Sequence, residues 1–450
     1  MKDLKILNAR IPDFEADALV EADILIDGGK IVKIAAPGQV TEETKETIDA
    51  AGKIAAPGFI DMHAHEDYPE ENFFTSECCL RMGVTTKIAG NCGEIYDDLD
   101  SFVKRVENGC PTNYMMLIGQ SFLREKVGAT DWYAPATPEQ IEAMKKIITD
   151  WKQYGPVGLS FGFEYNPGAT TEEALEVLKA LGEGDYMVSV HFRSDGAKSP
   201  ESTEELVEIC KRSGYKMEMS HIGSCAAVGY MQETLDILDK ARAEGVDITA
   251  DCYPYNAFCT GIGTAVFDEG AFDKWDYSAI MLTDGPDRGK RCDKELFEKT
   301  RKETPEMAVV AFVMNEPEID LAYKQPYVMV GSDCGFHNKT GHPRGAGTFP
   351  RVLGYYVRDR KAITLMEALK KMTVQPAQRM NLDTKGQVKE GFDADLVIFD
   401  ENTIRDGATF EEPTLPPVGI DYVLLNGQIA VKNNEILNDR LGRYIPYKAR

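Results

Sequence analysis

The chain contains six histidines, and four of them, His63, His65, His191 and His221, fall at or near the ends of short apolar runs that read as strands. Imidazole nitrogen and thiolate sulfur are good zinc ligands, whereas carboxylates serve as ligands or as proton carriers. In His63-Ala64-His65 the alternation of a strand turns both imidazoles to one side, where they can bracket a cation. His191 and His221 end successive strand candidates separated by a helical return, the spacing expected of two ligands on neighbouring strands. Cys92 follows another apolar strand in Gly90-Asn91-Cys92-Gly93, where the glycines permit a sharp turn. A buried inert thiol has the same composition, and what favours a ligand is nearness to His191 and His221 at a common rim. Asp333 closes Val330-Gly331-Ser332-Asp333. A carboxylate there is a poor core filler, but beside an activated water it can take a proton and pass it to a leaving amine. Asp61, Glu66 and Asp67 lie close enough in sequence to act as acceptors that orient the imidazoles.

These residues need a scaffold that gathers strand ends. Eight strand candidates, 57–65, 84–92, 112–119, 157–163, 186–193, 215–221, 246–255 and 327–333, alternate with helix-like stretches. Several helical stretches open on Thr or Ser followed by acids, and Gly155, Gly182, Gly214 and Gly245 stand where they stop. The expected fold is an α/β (β/α)₈ barrel, whose active site forms at the C-terminal rim of the strands. A doubly wound sheet would place a Gly-rich loop after its first strand, where this chain has His-Ala-His. Both ends of the chain alternate short apolar runs with turns and predict a small β domain made of 1–56 and 385–450. The barrel then spans 57–384, with an insertion around 256–326. Phe258, Phe267, Phe272, Trp275 and Tyr277 in that insertion either cover the pocket mouth or pack the insertion itself.

A length of 450 residues suits one large and one smaller domain, because single cores seldom exceed roughly 250–300 residues. The net charge of -24 repels phosphate backbones and argues against a nucleic-acid partner, although a local cation can still hold an anionic substrate. No leader-like start and no long apolar run is evident, so a cytoplasmic protein without a membrane partner is expected. The ten cysteines form no CxxC pair and predict free thiols. Oligomeric state is not legible.

In order along the chain, PGFIDMHAHED (57–67), GNCG (90–93), the two strand-end histidines, DCYPYNA (251–257) and GSD (331–333) form one series. GHPRGAGTFPRVLGYYVR (341–358), LMEALKKMTVQPAQRMNL, GFDADLVIFD and DGATFEEP (406–413) extend it. Together they resemble the D-aminoacylase (N-acyl-D-amino-acid deacylase) branch of the amidohydrolase superfamily. The resemblance implies one zinc held tightly by Cys92, His191 and His221. His63 and His65 then match a second, weaker metal position, and Asp333 the catalytic aspartate. It implies hydrolysis of an N-acyl-D-amino acid, a small-molecule amide, to a D-amino acid and a carboxylate. Arg344 matches the arginine that binds the substrate carboxylate, and Tyr253 or Tyr255 the tyrosine that assists it. Arg193 and Tyr165 are further pocket candidates, and neither His337 nor His342 is assigned to metal.

One departure matters for recognition. Relatives in this branch continue the sixth-strand ligand as His-His-Lys, with the lysine on the substrate carboxylate, whereas here Gly223 takes the lysine's place. Cys334, after Asp333, also departs from the usual glycine. A cyclic-amide hydrolase of the hydantoinase or dihydroorotase kind is the alternative activity. A non-catalytic metal-binding scaffold is the alternative class, and Asp333 speaks against it.

Overall fold

The computed structural model describes residues 1–268, 270–273 and 275–450. Eight parallel strands form the central sheet: β1 (Phe59–Asp61), β2 (Val84–Ala89), β3 (Asn113–Gly119), β4 (Gly158–Gly162), β5 (Met187–His191), β6 (Lys216–Met219), β7 (Ile248–Cys252) and β8 (Val328–Val330). Each falls within one of the eight runs expected from sequence. They are Val-, Ile- and Met-rich and buried throughout, apart from the half-buried Thr249, because helices cover the outside and side chains fill the inside. The sheet closes between β1 and β8, where Met62 N donates to Val330 O (3.3 Å) and Ala64 bridges Cys334.

Return helices follow the caps that the sequence offers. Thr137 and its partner Gln140 form a capping box for Pro138–Trp151, and the Thr170 side chain caps Thr171–Leu178. Gly214 ends Ser199–Ser213 in the left-handed conformation, as expected of a helix-stopping glycine. That helix begins at Ser199, with Pro200 suited to its first turn, so Ser202 lies inside it and does not cap it. Ser202 is instead spent on the Ser194 backbone (3.1 Å).

Strands from both ends of the chain share a nine-stranded sheet. Ile54–Pro57 joins them, pairing with Leu396–Phe399 of the C-terminal part and with Lys2–Asp13. Leu4, Ile6, Ile24, Ile31, Leu396 and Leu424 build its separate core. Beyond the sheet, residues 442–447 run back along the barrel, with Ile445 N on Tyr114 O and Tyr447 N on Gly155 O. Among the described residues no helix is long and apolar enough to cross a membrane.

The insertion after β7 carries its own antiparallel strands, Phe258–Gly261, Ile280–Leu282 and Ala308–Ala311. Its aromatics mostly pack on one another: Phe272 stacks on Tyr277 (3.8 Å) and meets Phe297 (4.7 Å). Phe258 alone of the five singled out also faces the cleft at the barrel rim.

Candidate active site

Three residues with large side chains sit in the left-handed region immediately beyond barrel strands: Cys92 (φ 56°), His221 (φ 30°) and Asp333 (φ 52°). Such conformations cost about 1–3 kcal/mol each and persist only where the surroundings over-determine them. The surroundings here are specific. Asn91, beside Cys92, donates to Ala64 O (3.0 Å) and Ile88 O (2.8 Å) and accepts from Ser189 (2.7 Å). Asp333 N donates to His63 O (2.7 Å), and His221 N to the Asp251 carboxylate (2.9 Å). Each kink swings a side chain from the strand line into the barrel mouth.

There the donors converge. Cys92 Sγ lies 3.4 Å from both His63 Nε2 and His221 Nε2, and His191 Nδ1 lies 3.1 Å from His221 Nε2. The outward nitrogen of each ring has an acceptor. Asp251 Oδ2 takes His63 Nδ1 (3.1 Å), and Glu164 takes His191 Nε2 (2.9 Å). Ser224 Oγ, whose own proton goes to His221 O (3.0 Å), takes His221 Nδ1 (2.8 Å). The three inward nitrogens are therefore left with lone pairs, pointing at one another and at a thiol. Lone pairs at such separations repel; His63, Cys92 and His221 lie close enough together to share one soft-to-borderline cation, and His191 adjoins that set through His221. Burial, the Asp333 charge and other acidic neighbours push the Cys92 thiol well up, a penalty that a bound cation reverses by favouring thiolate. Burial holds His221 neutral, the form that ligates. His65 brings a second cluster with His63 and Asp333, and its Nδ1 is buried without a partner. The donor set fits zinc.

Asp333 Oδ1 is 3.1 Å from His65 Nε2, and its Oδ2 is 2.9 Å from Arg344 Nη1. Burial opposes its charge, but the Arg344 guanidinium and the His65 hydrogen bond hold its proton affinity well below the usual carboxylate range. Its reciprocal effect on His65 is to raise that imidazole's pKa against the pull of burial.

The sequence and fold comparisons agree with this geometry. Residues 314–431 match the model of the amidohydrolase family. The chain is 32% identical over 443 residues to the N-acyl-D-glutamate deacylase of Alcaligenes xylosoxydans xylosoxydans, covering 90% of this chain and 89% of that one. It is 30% identical over 479 residues to the D-aminoacylase of the same organism, covering 95% and 97%. The crystal structure of the N-acyl-D-glutamate deacylase from Bordetella bronchiseptica, complexed with zinc and a phosphonate mimic of the tetrahedral intermediate, superposes with a TM-score of 0.88. Identity to it is 28%, over 99% of both chains. The chain belongs to the D-aminoacylase family of amidohydrolases. It is thus an amidohydrolase enzyme, and its fold is the metal-dependent hydrolase barrel with an added β domain.

Around the donors, this D-aminoacylase-family cleft of about 340 Å³ is lined by Glu164, Tyr165, Tyr253, Phe258, Asp333 and Arg344, among others. Arg344 is buried with its guanidinium 4.8 Å from the Tyr253 ring centre, and its Nη2 donates to Cys259 O (3.2 Å). Its Nη1, although close to Asp333, makes no aligned hydrogen bond. Tyr165 packs on His191 (4.5 Å).

Two expected pocket residues lie elsewhere. Tyr255 turns its hydroxyl to Asp406 (3.3 Å), away from the cleft, so of the two tyrosines Tyr253 lines it. Arg193 is forked onto Glu205 (2.9 and 2.7 Å) over the Phe163 ring, because its position beyond β5 faces outward. Asp61, Glu66 and Asp67 touch no imidazole ring. Asp61 ties Ser332 N (2.8 Å) to the His63 backbone, Glu66 takes the Tyr96 backbone N–H, and Asp67 takes Ser76 and Tyr114. The ring acceptors are Asp251, Glu164 and Ser224, which sequence reasoning missed. The DCYPYNA motif held the one available hint. His342 is structural, bridging Ala257 O and Arg344 N (3.0 Å each). A Cβ at Gly223 would meet Cys252 Sγ at 3.1 Å and Met314 Cε at 3.2 Å, so this position faces the packed interior and not the cleft.

Proposed function

We propose that this chain hydrolyses the amide of an N-acyl-D-amino acid, releasing a D-amino acid and a carboxylate, with zinc as its metal. The observation that carries the reading is the convergence of three imidazole lone pairs and one cysteine sulfur beside Asp333 and Arg344. Cys92, His191 and His221 would hold the tightly bound ion, with His63 and His65 serving a second, weaker position. When bound, zinc supplies Lewis acidity toward an acyl oxygen and lowers the pKa of water.

Asp333 takes the proton that the attacking water gives up, then returns it to the departing amine. Its depressed proton affinity keeps it charged and ready at neutral pH. Arg344, buried beside Asp333 on the cleft wall, orients the substrate α-carboxylate, and Tyr253 lies under the guanidinium as its support. With glycine at 223, Arg344 carries that contact without the lysine found in relatives. Tyr165 and Phe258 supply walls that exclude water.

The test is a screen of matched N-acetyl D- and L-amino acids with acidic, basic and apolar side chains, with zinc quantified in the same samples. Hydantoin and a dihydropyrimidine belong in the panel. Hydrolysis confined to the D series is expected. Ring opening without any D-series product would replace this reading with a cyclic-amide hydrolase.

A further inference from the structure

Asp251 is the penultimate residue of β7 and is completely buried, and both of its carboxylate oxygens are committed. Oδ1 accepts the His221 backbone N–H (2.9 Å), and Oδ2 faces His63 Nδ1 (3.1 Å). Gly331 of the β8 end packs directly on it, since a Cβ there would stand 2.6 Å from Asp251 Oδ1 and 2.6 Å from His63 Cβ. One side chain from β7 thus joins the ends of β1, β6 and β8. No catalytic step needs it.

We propose that Asp251 is a positioning residue that sets the ring tautomer of His63 and the kinked backbone of His221, and so aligns ligands of both metal positions. The proposal rests on the metal reading above. The tautomer argument is chemical. The His221 N–H is only a donor, so whatever occupies the Oδ1 place must be an acceptor. A carboxylate then offers a second acceptor to His63, which must present Nδ1–H and leaves Nε2 as a lone pair toward Cys92 Sγ, 3.4 Å away. An amide of the same shape keeps its oxygen on His221 and turns its NH₂ to His63. Nδ1 must then accept, the ring proton moves to Nε2, and a protonated Nε2 cannot ligate.

The experiment compares the zinc-loaded full chain with Asp251→Asn, using chelator competition for affinity and long-range ¹H–¹⁵N correlation of labelled histidines for the tautomer. The expected result is a roughly 10–100-fold loss of affinity at the weaker position served by His63 and His65, with the tightly held ion little changed because the amide oxygen still accepts the His221 N–H. The unfolding midpoint should stay near that of the unsubstituted chain, and the His63 proton should move from Nδ1 to Nε2. Unchanged affinity at that weaker position in Asp251→Asn, or a His63 proton already on Nε2 in the unsubstituted protein, overturns the proposal. The second reading needs no variant, so it decides the matter even if Asp251→Asn does not fold. If the unsubstituted chain holds no zinc, the metal reading falls with it. If zinc is held and Asp251→Asn binds it equally well at both positions, only the positioning role fails.

Discussion

Asp333 occupies the left-handed region, where asparagine is among the best-tolerated residues after glycine. Asp333→Asn should therefore fold and keep its zinc while kcat drops about 10²-fold or more, the loss expected when a general base is removed. Elemental analysis beside steady-state kinetics reads both, and undiminished turnover would take Asp333 out of the mechanism. For Arg344→Ala, KM should rise for substrates bearing an α-carboxylate and change little for a neutral amide analogue. Equal loss on both would make the guanidinium a structural tie. The principal candidates were legible because histidine is rare here and, like Cys92 and Asp333, stands at strand ends. The acids that hold the rings were not. The chain has 74 Asp and Glu, and sequence proximity pointed to Asp61, Glu66 and Asp67, whose contacts are with backbone and hydroxyls. Asp251 reaches His63 across 188 positions of chain, a juxtaposition that only the closed barrel creates.

At the scale of elements, the barrel strands announced themselves as short apolar runs with a polar or unusual last residue, and the helices through their Thr caps. Strand ends, which carry the chemistry, leave the least room. Gly331→Ala would drive a methyl against Asp251 and His63, so a destabilisation of about 1–3 kcal/mol is expected from overpacking, with zinc lost in parallel. Denaturant unfolding with and without added zinc measures it. The turn after β1 holds Glu66, whose carboxyl is pushed up to about 7, chiefly by burial, against the backbone N–H groups of Tyr96 and Asp97. The unfolded carboxyl loses its proton near its ordinary value of 4.5 while the folded one retains it to about 7. Stability from the neutral form is thus complete at the acid end and is lost as pH climbs through that window. Glu66→Gln should flatten the decline, which unfolding midpoints across the window would show.

Across the whole molecule, residues 442–447 pack with Ala377 and Met380 against the opposite end of the barrel, a contact that periodicity could not reveal. Tyr447 is buried there, with its hydroxyl bonded to Lys216 Nζ (2.7 Å) and Asp185 O (2.9 Å). Tyr447→Ala should cost about 3 kcal/mol, the scale for truncating a buried aromatic, yet leave kcat intact because the reacting groups sit at the far rim. A matching fall in kcat at a temperature where the variant is fully folded would contradict that separation. The insertion after β7 has a different bearing. It lends Phe258, Cys259, Thr260 and Val266 to the cleft, rests on its own aromatic packing, and among its described residues provides no member of the donor clusters. Its polar tie to Arg344 is through the Cys259 backbone carbonyl, which any residue type would offer. Chimeras that exchange this segment among homologues should accordingly inherit new substrate preferences while the hydrolytic machinery beneath carries on unaltered.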